Sequence, residues 1–393
     1  MNSWVRNLTL IVVGASLLAG CSTLSDTFSS VLPKEDPNPP KALQAIQSSA
    51  NVATVWQTNT GSNTAKDYVR LSPNIGDSAV FVAGGGSASA WDKRTGKLLW
   101  RRAISEEITA GVNGGEGLIF LGTTEGNAIA LDSRNGETRW VEPLDSEVLS
   151  VSAARNGRVA FRSSDGKLSG LATQTGETVW QQTRPTPILS LRSAGVPVIV
   201  GDVVIAGFDN GTLTAFDVQS GTSFWEALLS IPRGSNDLDK ITDVDGKLAV
   251  VGSALFAAGY NGQIAGVDMR EGNIVWAEPF SSHAGVAANQ DGVYASNERG
   301  EIWKLRPKTG EPVWKMDDLQ RRSPTAPTLL GDYIIVGDFA GYLHWINTQT
   351  GRIGARQRSD QQGYTVAPVA EGRFIYTFGR SGVLAAHTLQ ASP

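Results

Sequence analysis

The sequence is poorest in cysteine and histidine, with one of the first (Cys21) and three of the second in 393 residues. A lone cysteine excludes an internal disulfide, and no Ser–His–Asp set can be argued from the order of the residues. Charge of one sign is also lacking: 34 basic and 38 acidic residues are interspersed, for a net charge of −4. That balance leaves no basic footprint for nucleic acid and no polybasic stretch for anionic lipid. The marked apolar run, Leu8 to Ala19, is too short to cross a bilayer comfortably. Helical periodicity is scarce too. What is present is 44 glycines, 11 tryptophans and 41% apolar residues, a profile of many short strands joined by tight turns around a large core.

The abundant residues fall into a repeat. "ALDSRNGETRW" ends at Trp140, and close copies end at Trp100, Trp180, Trp225, Trp276 and Trp314. Aligned on Gly86, Gly126, Gly166, Gly211, Gly262, Gly300, Gly341 and Gly382, the copies are spaced by 40, 40, 45, 51, 38, 41 and 41 residues. Such a period belongs to propellers and solenoid arrays. "GNAIALD" reads as one strand and "ETRW" as the next, joined by Asp-x-x-x-Gly, where Asp closes an Asx-type turn and Gly takes positive φ. With "GLIFLG" and "ITAGV" ahead of them, each unit has four short strands, which makes a propeller blade. One Trp per blade fills the gap to its neighbour, because a blade cannot bury its faces alone.

The expected fold is therefore all-β: an eight-bladed propeller of four-stranded antiparallel blades. The seventh copy carries Ala355 in place of Trp, so its seam should pack differently. The eighth stops at Leu389 without its last strand. "ATVWQT" with Trp56 supplies that strand from the N-terminal side and closes the ring. Seven blades is the alternative count, since the leading strand near "DYVRLSP" is weakly marked.

The first twenty residues, with Arg6 followed by the short apolar run, read as a secretory signal. They end in "LLAGC", which resembles the bacterial lipobox. The resemblance implies cleavage before Cys21 and lipidation there, by more than one acyl chain, each holding by about 0.8 kcal/mol per buried methylene. Ser22, where an Asp would retain the protein elsewhere, implies sorting to the outer membrane. Residues 21–50, rich in Ser and Pro, read as a tether, and residues 51–393 as the propeller.

The Ala-x-Asp-x-x-Thr-Gly-x-x-x-Trp repeat resembles that of the quinoprotein dehydrogenases, which are eight-bladed propellers holding a calcium-bound quinone in the central channel. Their adjacent cysteine pair is missing here, and no Glu/Asn/Asp cluster reads as a calcium site. "DVDGK" from Asp243 begins like a calcium loop, but Ala254 stands at its twelfth position. "AGGGSA" lacks the Gly-Lys-Ser/Thr of a phosphate loop. His344 and His387 fall inside strand copies, where packing explains them. The reading is a non-enzyme with no cofactor and no metal site.

Function then resides where the period breaks. The two long spacings hold "RPTPILSLRSAGVP", residues 184–197, and the acidic "IPRGSNDLDKITDVDGK", residues 231–247. Being consecutive, the two loops neighbour one another on one rim. Leu189 and Leu191 beside Arg192, with carboxylates near, have the composition of a protein-binding patch. The alternative is that both leucines are strand residues pointing into a blade.

Lipobox, Ser/Pro tether and quinoprotein-like blades together resemble the BamB family, the propeller lipoproteins of the outer-membrane β-barrel assembly (BAM) machinery. "LSLR" at 189–192, "TDVD" at 242–245 and "VGDFAGYLHWIN" at 336–347 carry the resemblance. It implies a scaffold that aids folding and insertion of outer-membrane proteins. It also implies contact of Leu189, Leu191, Arg192, Asp243 and Asp245 with the POTRA domains of a BamA-type barrel protein, beside the other BAM lipoproteins and unfolded clients. A quinoprotein-like or ligand-binding propeller with its site in the central channel is the rival reading.

Overall fold

The computed structural model describes residues 38–62, 69–187, 189, 191, 195–231 and 240–390. The chain divides into a unit of residues 1–39 and a unit of residues 40–393. Cys21, the signal-like run and most of the tether lie outside the described residues.

In residues 40–393 the turn chemistry expected of Asp-x-x-x-Gly is realised. Asp92 Oδ1 accepts from the Thr95 hydroxyl and amide, both at 2.8 Å, and from Arg94 N at 3.1 Å. Those bonds hold its carboxyl below the ordinary value, the Thr95 hydroxyl contributing most. Gly96 N returns to Asp92 O at 2.8 Å and closes the hairpin.

Strands of four to eight residues on either side of these turns pair antiparallel, giving, among the described residues, eight four-stranded sheets. Blades I to VII run over 74–103, 108–143, 148–183, 198–228, 249–279, 286–316 and 328–358. Blade VIII joins three C-terminal strands, within 369–390, to Asn51–Asn59. That strand pairs with Val383–Gln390 from Asn51↔Gln390 to Asn59↔Val383, so the two ends of the body close the ring. The count is eight, not seven. The strand near "DYVRLSP" was faint because it is short, only Asn74–Ile75.

Each tryptophan reaches the next blade in one way. Trp56, Trp100, Trp140, Trp180, Trp225, Trp276 and Trp314 donate Nε1–H to the carbonyls of Lys93, Ser133, Thr173, Val218, Met269, Pro307 and Thr348, at 2.7–3.0 Å. The acceptor is always the residue after the Asp position of the neighbouring turn. The indole then lies flat on that turn's glycine. Gly176, at φ 79°, would carry a Cβ only 2.7 Å from the Trp140 ring, so no other residue fits. Within its own blade the Trp faces a small partner, as in Ala130↔Trp140 and Gly170↔Trp180, except Trp314, which faces Lys304.

Blade VII reverses this arrangement: Trp345 on the third strand is paired with Ala355 on the fourth. Blade VIII draws its third and fourth strands from opposite ends of the body, so it has no turn for an outer Trp to cover. Trp345 fills the seam from one strand inward and meets His387 of blade VIII edge-on, with ring centroids 6.2 Å apart.

Residues 41–50, which composition placed in the tether, run along the outer edge of blade VII. Lys41 N donates to Gln320 O, and Ser49 N and Ala50 N donate to Gly354 O. Leu43 and Ile46, like Trp314, pack against the buried cluster that includes Ile353.

Replacing Trp140 by Ala should cost about 3–5 kcal/mol in denaturant unfolding, as for buried aromatics generally. Ala355→Trp should instead destabilise by about 1–3 kcal/mol, because Trp345 already occupies that seam. A neutral Ala355→Trp would show that the seventh seam has spare volume.

Candidate functional site: a loop held at the junction of three blades

In an antiparallel four-stranded blade the turn between the second and third strands and the connection to the next blade share one rim. The two long connections therefore emerge beside the Phe208–Gly211 turn of blade IV. Residues 240–247 cross from blade IV to blade V, bridging Asn210 through Thr242 and Gly285 through Lys247. Val244 N donates to Phe208 O at 3.3 Å, and Tyr260 N to Asp243 O at 2.8 Å.

Of the five residues expected at a partner contact, Leu189 is 43% exposed and Leu191 is half-buried. Neither lies in a strand. Arg192 lies outside the described residues. Asp243 and Asp245 were expected as surface carboxylates, but the structure buries both, at 0% and 5% exposure. Their side chains turn back on the first loop. Asp243 Oδ2 accepts from Leu191 N at 2.6 Å, and Asp245 Oδ1 from Gly195 N at 3.4 Å. Ser150 of blade III adds a hydroxyl bond to Gly195 O at 3.0 Å. Leu191 and Gly195 are thus each held through the backbone by buried side chains.

The organising cation is Arg162, on Arg158–Ser163 of blade III and 1% exposed. Its Nη2 donates to Asp209 Oδ1 at 2.6 Å and its Nη1 to Gly207 O at 2.7 Å. Nη1 also stands 3.5 Å from Asp245 Oδ1, and the guanidinium lies 5.1 Å from the Phe208 ring centroid. One buried side chain therefore ties blade III, the blade IV turn and the second loop together.

Sequence reasoning did not single out Arg162 or Asp209, yet the repeat held a signal. Arg162 stands four residues before Gly166, where the other copies carry Val82, Gly122, Gly207, Ala258, Ser296, Gly337 and Phe378. A charge at that buried repeat position marks a departure as clearly as an altered spacing does.

Burial raises the pKa of both aspartates above the carboxylate range. Asp245 adds repulsion at Asp243, as Asp209 does at Asp245, while Leu191 N and Arg162 oppose the rise. Burial would lower the Arg162 pKa, but Asp209 and Asp245 outweigh it and the net direction is up. One carboxylate oxygen from each of Asp209, Asp243 and Asp245 lies within 4.8 Å of the others, a spacing a metal ion would accept. Here a guanidinium supplies the positive charge.

The central channel holds a cavity of about 720 Å³ lined in part by Arg70, Asn113, Lys247 and His283. Burial first, and Arg70 second, bring His283 down to about 4, so its ring is neutral near pH 7. His344 and His387 are fully buried in their strands, bonded to Asp338 at 3.1 Å and to Thr54 and Thr377 at 3.1–3.2 Å.

Arg162→Met would leave Asp209 without its cation and should cost about 3–5 kcal/mol. Asp243→Asn keeps an acceptor for Leu191 N and removes an ionisation. A carboxyl raised in the folded state contributes stability when protonated, and that contribution is lost as pH rises above the ordinary carboxyl range. Unfolding of the native chain between pH 5 and pH 9 should therefore show a loss on the alkaline side that Asp243→Asn flattens. A steeper loss in the variant would contradict this assignment.

Comparison with known proteins agrees with the geometry. The family model described as outer membrane protein assembly factor BamB matches residues 84–316. The protein of that name from Pseudomonas aeruginosa is 42% identical over 353 residues, covering 90% of this chain and 93% of the relative. The one from Escherichia coli is 31% identical over 376 residues, covering 93% and 94%. The crystal structure of BamB from Moraxella catarrhalis superposes with a TM-score of 0.79 at 28% identity, over 86% of this chain and all of that one. A quinohemoprotein alcohol dehydrogenase from Comamonas testosteroni, at 14% identity and a TM-score of 0.65 over 86% of this chain and 76% of that one, shares the fold alone. With a family model over more than half of the sequence and relatives above 30% identity along nearly all of it, the chain belongs to the BamB family of outer membrane protein assembly factors.

Proposed function

We propose that the chain is a non-catalytic scaffold lipoprotein of the outer-membrane β-barrel assembly complex. Cys21, left as the mature N-terminus after removal of residues 1–20, carries the lipid that holds it at the periplasmic face of the outer membrane. Among the described residues no helix is long and apolar enough to cross a membrane, which accords with a body held by its anchor. The rim of blades III to V docks on the POTRA domains of the BamA-type barrel protein, and the complex with its other lipoproteins receives unfolded outer-membrane clients.

The observation that carries this reading is the restrained loop. An exposed Leu189 and a half-buried Leu191 sit on a segment without secondary structure, yet buried side chains from blade III and from the connection between blades IV and V hold it at Leu191 and Gly195. Fixing a loop before association removes ordering cost from binding. Apolar side chains beside an arginine are the usual composition of an interface centre. Asp243 and Asp245 set orientation from beneath, by positioning the loop that bears the contact residues. The chain also lacks the adjacent cysteine pair of the quinoprotein enzymes, its sole cysteine being Cys21.

The test is a titration of the detergent-solubilised full chain with the POTRA region of the cognate barrel protein. Leu191→Ala/Arg192→Ala should weaken binding by about thirtyfold or more. Val313→Ala, on the outer strand of blade VI, should leave it unchanged. Equal affinity of the double variant and the native chain would remove the loop from the interface.

A further inference from the structure

Residues 40–50 change the rim from which the chain leaves the propeller. The strand Asn51–Asn59 starts opposite Gln390 and ends opposite Val383, and Thr60 N donates to the carbonyl of Gly382, in the turn between the second and third strands of blade VIII. Asn59 therefore lies at the rim that carries the long loops, and Asn51 at the opposite rim. A chain with nothing docked ahead of Asn51 would leave the ring on that far side.

The docked segment leads it back across blade VII. At the far rim Ser49 N and Ala50 N donate to Gly354 O at 2.9 and 3.1 Å, and the Tyr333 hydroxyl donates to Ser49 O at 3.3 Å. Midway, Arg356 Nη1 donates to Gln44 O at 2.9 Å. Leu43 and Ile46 are half-buried there against the apolar seam of blades VI and VII. The crossing ends on the connection between those blades, at the loop-bearing rim. Lys41 N donates to Gln320 O at 3.0 Å, and its ammonium stands 3.0 Å from Asp317 Oδ1 and 3.7 Å from Asp318 Oδ1. Arg322 Nη1 donates to Lys41 O at 3.4 Å. Arg322 is itself 7% exposed, donating Nε–H to Asp338 Oδ2 at 2.8 Å, with its guanidinium 5.1 Å from the ring centroid of the exposed Phe339.

Blade VII is shaped to receive this segment. In the other blades the residue before the seam tryptophan carries an exposed side chain: Val55, Leu99, Arg139, Val179, Phe224, Val275 and Val313. Blade VII has a buried glycine, Gly354, at that place. Gly354 does not take positive φ, so close approach rather than conformation accounts for it. A Cβ there would stand 2.7 Å from Ser49 Oγ and 2.9 Å from the Tyr333 ring.

We propose that residues 40–50 are a strap that carries the lead of the lipid anchor from the far rim to the loop-bearing rim, so that the anchored chain turns its docking loops toward the membrane. The inference rests on the lipid-anchored reading above and adds a direction to it. The strap also shortens the lead. An extended chain spans at most about 3.5 Å per residue, so residues 21–40 reach no more than about 70 Å from Cys21, against about 105 Å for residues 21–50.

The test uses the lipidated full chain on vesicles of phosphatidylethanolamine and phosphatidylglycerol bearing a rhodamine-labelled lipid as energy-transfer acceptor. With Cys21 acylated, a donor dye goes only to an introduced thiol, at Arg299→Cys in a turn on the loop-bearing rim or at Lys308→Cys in a turn on the far rim; both positions are exposed and on blade VI. Leu43→Ser/Ile46→Ser weakens the strap from its own side. Gly354→Val restores the kind of side chain that the other blades carry, and an unchanged β-sheet circular dichroism spectrum shows both chains folded. Amide hydrogen exchange reports the strap directly: Lys41, Ser49 and Ala50 should be protected in the native chain and lose protection in both variants. Transfer should be stronger from position 299 than from 308 in the native chain, and that order should vanish or reverse in the variants. Equal transfer from the two rims of the native chain, an order that survives release of the strap, or strap amides that exchange alike in native and variant chains would each overturn the proposal. A native chain that fails to float with the vesicles would overturn the anchor reading itself, and the role of the strap with it.

Discussion

The contact on which this ring depends is an indole lying on a glycine. Each outer-strand tryptophan covers the neighbouring turn's glycine and hydrogen-bonds the carbonyl following the turn's Asp position. A sheet face has no directional reason to choose a register with its neighbour; a ring pressed on a Cβ-free site and a single donor with one acceptor impose one. The same interaction repeats seven times, and Trp56 makes it across the closure, so the N-terminal strand is fixed both by pairing and by the seam to blade I. Blade VII shows the rule by its exception. Where the neighbour has no turn to cover, the large residue moves one strand inward and its partner becomes alanine.

A scaffold so regular has a consequence for function. Whatever departs from it is held between packed blades, and the departures cluster on one rim. At blades III to V, Leu191, Gly195 and residues 240–247 are tied together by Asp243, Asp245 and Arg162. At blades VI to VIII the spacing stays regular, and the exposed Phe339 ring lies over the buried Arg322 guanidinium. Both places bury a full positive charge against a carboxylate, Arg162 on Asp209 and Arg322 on Asp338. Such buried ion pairs are weak sources of net stability, and they are suited to holding one geometry among several.

The repeat made the architecture legible, because glycine, aspartate and tryptophan recur for reasons local to the turn and the seam. Ring closure was legible too, since Trp56 supplies the missing eighth outer strand. The site was legible only in part. Period-counting located the loops holding Leu189, Leu191, Asp243 and Asp245, yet it read the aspartates as surface groups. Nothing in a linear pattern says which way a carboxylate in a long connection will turn; that depends on Arg162, 81 residues before Asp243 in the chain and on another blade. Residues 41–50 were read as tether for a similar reason, as their few apolar side chains acquire meaning only once the edge of blade VII exists beside them.

The central claim is that a rim, and not the channel, is the working surface of this propeller. Amide hydrogen exchange of the full chain, with and without the POTRA region of its barrel partner, tests it directly. The account predicts new protection confined to the connections 184–197 and 231–247 and the blade IV turn beside them, with the channel-facing segments around Asn113 and His283 unchanged. Protection concentrated on those channel segments, with the two loops exchanging as in the free chain, would contradict it.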